Sequence, residues 1–158
     1  MRITELTPEY KSAVAAVIKE EWAGPVITSK GQAWDTSALP GYIAIDDANN
    51  LRGVVTYRLY GKECEITTLN SLEEKQGIGT GLINAVLRTA KDTQCSRLWL
   101  VTTNDNTYAI RFYQRFGFSL REVHINALDK ARELKPSIPL LGMDNIPLKH
   151  EFEFEIIL

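Results

Sequence analysis

Positive charge is not in excess in this chain. Its 18 Lys and Arg stand against 20 Asp and Glu, for a net charge of −2 at pH 7. That argues against a phosphate-backbone binder, which is normally basic overall or along one stripe. Long apolar runs are missing too. None approaches the ~18 residues of a membrane span, and Met1–Pro8 has no apolar signal core. The expected location is therefore cytoplasmic, with neither nucleic acid nor membrane as partner. Cysteine is scarce. Cys64 and Cys95 read as reduced core residues rather than as a disulfide framework. The two histidines, His124 and His150, have no partner at metal-ligand spacing, so no metal site is expected. Repeats, low-complexity tracts and domain linkers are absent. So is the Walker string Gly-x4-Gly-Lys-Ser/Thr. A dinucleotide fingerprint starting at Gly77 fails as well, because its third glycine would fall at Leu82.

What the chain does have is enough apolar residue for a core. Its 158 residues are 44% hydrophobic, which suits one domain spanning 1–158. Arg2–Leu6 alternates and reads as a strand. Thr7-Pro8 reads as a helix start, a capping hydroxyl followed by proline at the first helical position. Ala13, Val14, Val17 and Ile18 give that helix an apolar stripe as far as Trp22. Ala23-Gly24-Pro25 ends it, and residues 26–40 read as a loop with one short helix. Gly41–Ile45, Gly53–Leu59 and Cys64–Leu69 read as an antiparallel meander. A helix follows over Gly77–Ala90. Arg97–Thr103 is a near-continuous apolar strand, as expected where both faces are covered. Residues 106–116 form a helix and Phe118–Ile125 a strand. Leu134–Pro147 is irregular and leads into the alternating strand Phe152–Ile157. If exposed, that last strand favours a homodimer. The order is that of an α/β protein with a mixed sheet.

Glu74-Lys75-Gln76-Gly77-Ile78-Gly79-Thr80-Gly81 lies between a strand and the start of an apolar helix. The first turn of a helix has N–H groups without partners, and the helix dipole adds partial positive charge. Glycine lets a ligand approach that backbone closely. A phosphate or diphosphate is the natural guest; a bare tight turn is the plainer reading. A second stretch runs Asn104-Asp-Asn-Thr-Tyr-Ala-Ile-Arg-Phe-Tyr-Gln-Arg-Phe-Gly-Phe118. Asp105 or Asn106 can cap its helix. Ala109, Phe112, Tyr113 and Phe116 share one face. Gly117 sits where the chain turns left-handed, and Phe118 can fold back on the last turn.

Together these stretches resemble the two signatures of the GCN5-related N-acetyltransferases, the GNAT family. The first signature is Gln/Arg-x-x-Gly-x-Gly/Ala. Here Gly77 and Gly79 match, and Glu74 stands in place of Gln or Arg. The second is Asn-x-x-Ala-x-x-φ-Tyr-x-x-φ-Gly-Phe, with φ apolar. Asn106, Ala109, Phe112, Tyr113, Phe116, Gly117 and Phe118 fall in register with it. The resemblance covers roughly residues 40 to 126.

The resemblance implies a GNAT fold: a mixed, mostly antiparallel sheet of about seven strands flanked by helices. It also implies a splay between the fourth and fifth strands. Acetyl-CoA is the implied cosubstrate, without a metal. It would be held by Leu69, Asn70, Glu74, Lys75, Gln76, Gly77, Ile78, Gly79, Thr80, Asn106 and Tyr113. The Leu69 N–H would polarise the thioester carbonyl. Carboxylates at Glu73 and Glu74 sit poorly beside a diphosphate, and Lys75 offsets them in part. Tyr113 is the implied general acid, since a phenol can return a proton to a departing thiolate; its plainer role is core packing. The general base falls on Glu63 or on its neighbour Glu65, which share a strand face. Two solvent-facing carboxylates are the plainer reading there. Cys64 points to the other face and is a poor nucleophile candidate. Trp22, Trp34, Lys30 and the 134–147 segment are available to line an acceptor pocket. The expected activity is acetyl transfer to a primary amine, on a small molecule or a protein, by direct attack in a ternary complex. The alternative is a non-catalytic acyl-CoA sensor or interaction domain.

Overall fold

The computed structural model describes residues 1–158. Strand β1 (Arg2–Glu5) leads not straight into a helix but into a tight 3-10 turn at Pro8–Tyr10, followed by α1 (Lys11–Trp22). Thr7 therefore does not cap the helix. Its hydroxyl donates to Glu9 Oε1 at 3.4 Å. Ala23, left-handed at φ 56°, ends α1 as the Ala-Gly-Pro signal requires. Residues 26–40 depart from the expected loop. They form a hairpin, β2 (Val26–Ser29) and β3 (Gln32–Asp35), and then a short 3-10 turn at Thr36–Ala38.

The meander follows as β4 (Gly41–Ile45), β5 (Leu51–Tyr60) and β6 (Glu63–Ser71). After it come α2 (Ile78–Asp92), β7 (Arg97–Thr103), α3 (Thr107–Phe116) and β8 (Ser119–His124). A helix that the sequence pattern does not announce, α4 (Ala127–Leu134), precedes the irregular segment, and β9 (Glu151–Ile157) closes the chain.

Seven strands make one sheet in the order β1-β4-β5-β6-β7-β9-β8. Every neighbouring pair is antiparallel except β6 and β7. That parallel pair holds register at Glu63↔Arg97, Cys64↔Leu98 and Glu65↔Trp99, and then stops. The fourth and fifth strands of the sheet therefore part beyond Glu65 and Trp99, as the resemblance implies. The last strand, expected at an edge, is flanked by β7 and β8. It offers no free backbone for pairing with a second copy; β1 and β8 are the edges.

Helix α2 packs on one face of the sheet because its apolar residues recur every three or four positions. Leu82, Ile83, Val86 and Ala90 are fully buried with Cys64, Leu98, Leu100 and Phe154. Burial of each large side chain is worth about 1.5–3 kcal/mol, so this face anchors the start of α2 against the sheet. The other face carries α1, whose Val14 and Ile18 cover Ile43, Ile45 and Val54. No helix is long and apolar enough to cross a membrane.

Candidate active site

Where β6 and β7 separate, a cleft of about 1200 Å³ opens. Ile66–Leu69 line one wall and Leu100–Thr103 the other, and residues 73–80 form its mouth. Gly77, at φ 71°, is the N-cap of α2 and has no side chain to satisfy the helix start. Lys75 is left-handed as well, at φ 59°. The first bond of the helix runs from the Gly81 N–H to the Gly77 carbonyl at 2.9 Å, and no N–H from Glu73 to Thr80 donates to another residue. Such a row of free amides at a helix N-terminus is an anion cradle. Glu73 is held aside by Arg52 Nη1 at 2.9 Å, and Arg52 is itself fixed by Asp46 at 2.7 Å. Arg52, rather than Lys75, is thus the cation that balances Glu73.

Opposite the loop, Asn106 caps α3: its Oδ1 accepts from the Ala109 N–H at 3.1 Å. Asp105 has another task. Buried, it accepts from the Thr103 hydroxyl at 2.5 Å and the Met143 N–H at 2.9 Å. Gly117 turns at φ 125°, and the Phe118 N–H bonds back to the Tyr113 carbonyl at 3.0 Å. Tyr113 lines the cleft and packs edge-on to Phe112 and Phe118 at 5.5 and 5.6 Å. Burial pushes its phenol well above the usual range, so it stays protonated through neutral pH.

Of the other implied cofactor residues, Leu69, Glu74, Lys75, Gln76, Ile78, Gly79 and Thr80 line the cleft with Gly77 and Asn106. Asn70 does not; its Oδ1 accepts from Trp22 Nε1 at 2.9 Å, and Trp22 is itself in the lining.

The two base candidates lie outside the lining. Glu63 accepts from Arg97 Nε at 2.6 Å. Burial would raise its carboxyl, but hydrogen bonds from Tyr60 and Arg97 outweigh it and hold the group below the ordinary range. Glu65 is fully buried, not solvent-facing, between the Ser29 hydroxyl at 2.6 Å and Arg58 Nε at 2.5 Å. Burial raises it against the pull of Ser29 and Arg58. Cys64 sits in the core on the opposite face, a free thiol pushed up to about 12 chiefly by burial. Glu122, His124 and Glu153 bring ligand atoms within 4.8 Å of one another, a grouping the sequence spacing conceals. Lys30 at 3.0 Å and Arg97 at 2.7 Å already supply positive charge to Glu153.

The Acetyltransferase (GNAT) family model matches residues 6–118. The chain belongs to the GNAT family. It is 37% identical over 139 residues to the uncharacterized protein YdhI of Bacillus subtilis (strain 168), covering 88% of this chain and 87% of that protein. The fold is shared at low identity. A GNAT acetyltransferase from Elizabethkingia anophelis, solved with acetyl-CoA bound, superposes with a TM-score of 0.72 at 20% identity, covering 99% of this chain and 97% of that one. The ribosomal-protein-S18-alanine N-acetyltransferase of Escherichia coli superposes with a TM-score of 0.68 at 12% identity, covering 99% and 92%.

The residues expected to line an acceptor pocket are brought together only in part. Trp22 lines the cleft, but Trp34 stacks under Arg58 at 4.1 Å and Lys30 lies over Trp99 at 4.6 Å. The 134–147 segment contributes nothing to the lining. Thr28, Thr67 and Glu151 do. The signal for Glu151 was the alternation of Glu151, Glu153 and Glu155 with Phe152, Phe154 and Ile156. With the second set in the core, the acids must face the other side.

Proposed function

We propose that residues 1–158 act as one acetyltransferase domain that moves an acetyl group from acetyl-CoA to a primary amine by direct attack in a ternary complex. One observation carries this reading. Unpaired amides of residues 73–80 stand at the mouth of a cleft that continues through the parted strands to a buried carboxylate face. The donor set fits the diphosphate of coenzyme A: backbone N–H groups, a helix N-terminus and no competing side-chain cap.

In this reading the amides around Gly77 and Gly79 hold the diphosphate. Asn106 and the end of β7 bound the opposite wall, and Asn70 supports that site by fixing Trp22. The Leu69 N–H donates to the thioester carbonyl, where negative charge grows during attack. Tyr113 returns a proton to the departing sulfur. A phenol with a raised pKa is a weaker acid, but it is fully protonated when needed, and a thiolate of ordinary pKa near 8.5 is the species leaving. Tyr113→Phe is expected to lower kcat by at least about tenfold while leaving affinity for acetyl-CoA in place. An unchanged kcat would return Tyr113 to core packing alone.

The amine acceptor draws support from the fold neighbour named for acetylating an alanine of a ribosomal protein. The test is free-thiol release with acetyl-CoA and a panel of spermidine, lysine methyl ester, an alanine-initiated peptide and an aminoglycoside. Turnover with any member supports the enzyme. Binding of acetyl-CoA without turnover across the panel favours a sensor.

A further inference from the structure

Three buried carboxylates of this sheet face the hairpin β2–β3, and two of them are saturated. Glu65 is held by Ser29 and Arg58. Glu153 is held by Arg97 at 2.7 Å, His124 at 2.9 Å and Lys30 at 3.0 Å. Glu151 differs from both. It is 3% exposed, yet it forms no ion pair and accepts one hydrogen bond, from the Lys30 N–H to Oε1 at 3.1 Å. Its Oε2 accepts nothing from the protein. Nor is Oε2 sealed away, because the enclosed side-chain atoms without a partner are Trp34 Nε1, Trp99 Nε1 and Arg132 Nε. Glu151 lines the cleft with Thr28 and Thr67. Glu151 pairs in register with Thr103, past the last β6–β7 pair at Trp99 and so within the splay.

A buried carboxylate without a cation is costly, and such groups find a partner or a proton. We propose that the missing cation is the acceptor's ammonium, and that Glu151 is the general base that takes its proton. The inference rests on the acetyltransferase reading above. Glu151 accepts one ammonium proton, and the freed nitrogen lone pair forms the bond to the acetyl carbon as the carbon–sulfur bond breaks. Tyr113 protonates the sulfur. The second proton lost from nitrogen restores Tyr113, the third stays on the amide, and the Glu151 proton returns to water.

The surroundings raise the carboxylate's hold on a proton, as a general base requires. Burial raises the Glu151 carboxyl and Glu65 on β6 reinforces this, while the Lys30 N–H, His124 on β8 and the Lys30 ammonium oppose it. Glu153 on β9 and Arg97 on β7 are paired with each other, and Lys130 of α4 approaches the β2–β3 turn at Gly31. The carboxylate is the active form, so kcat/KM must rise with pH through the raised Glu151 titration.

Glu151→Gln keeps the shape and removes the base. With any acceptor turned over by the wild type, it is expected to lower kcat/KM at least about a hundredfold and to abolish the rising acidic limb. Its affinity for acetyl-CoA by calorimetry is expected to match the wild type, which also reports that the variant is folded. Glu151→Asp should recover part of the rate. A Glu151→Gln enzyme with wild-type kcat/KM and the same pH profile would overturn the role of Glu151 and leave the acetyltransferase reading intact. A wild type that binds acetyl-CoA but acetylates no amine in the panel would overturn both.

Discussion

Gly77→Val is expected to weaken acetyl-CoA binding at least about a hundredfold. Gly77 sits at φ 71° and ψ 12°, where a β-branched residue is a steric outlier. Left-handed backbone costs an ordinary residue about 1–2 kcal/mol. Valine relieves only part of that cost by re-routing the loop, and the amides of residues 76–80 then no longer converge. Loss of two hydrogen bonds to a charged group, each worth about 1.5–3 kcal/mol, accounts for a hundredfold or more. The control is Gly61→Val in the β5–β6 turn. Gly61 is left-handed too, at φ 54°, with open space around it. Both variants share the strain, so both lose stability. Only the Gly77 variant should lose affinity in calorimetry. Equal affinities in the two variants would detach the loop from the ligand.

Glu153→Gln is expected to cost about 3 kcal/mol of stability, near the low end for breaking a buried ion pair. Glu153 is 2% exposed and joins β7, β8 and the hairpin turn through Arg97, His124 and Lys30. Arg97 keeps Glu63 and Glu155 at 2.6 and 2.9 Å when Glu153 is neutralised, which limits the loss. A fall in Tm of about 6–12 °C follows for a chain of this size. The pH dependence gives a sharper check. Burial raises the Glu153 carboxyl, but its hydrogen bonds from Arg97, His124 and Lys30 win and hold it at about 2. A depressed carboxylate stabilises the fold above its unfolded pKa and loses that contribution as pH falls through its folded one. The gap in Tm between wild type and variant should therefore be full above roughly pH 5 and shrink toward pH 2. A gap that stays constant over that window would mean that packing, not charge, is what Glu153 supplies.

The glycine loop and the α3 signature were legible because each is written in local terms: glycine alternation, a capping Asn, an apolar stripe and a left-handed stop. The parting of β6 and β7 came with the family resemblance. The hairpin at residues 26–35 was not legible. Its turn is Lys30-Gly31, with both residues left-handed at φ 50° and 75°, where Asn-Gly is the strong signal. Helix α4 lacks a local signal for a similar reason. Asn126 enters it left-handed without a side-chain cap, and its N–H is held by His150 Nδ1 at 2.8 Å, a tertiary contact. The hairpin hid Glu151 in turn. Without a cover over that face, three glutamates on β9 read as solvated, and the insertion of β9 between β7 and β8 is not a local property at all.

The amide cradle is tested most directly by nitrogen–proton correlation NMR on the uniformly labelled protein. Acetyl-CoA should shift the amide signals of Gln76, Gly77, Ile78 and Gly79, and S-acetylpantetheine, which lacks the diphosphate, should leave them in place. Acetyl-CoA that binds while those four signals stand still, or that does not bind, would contradict the account.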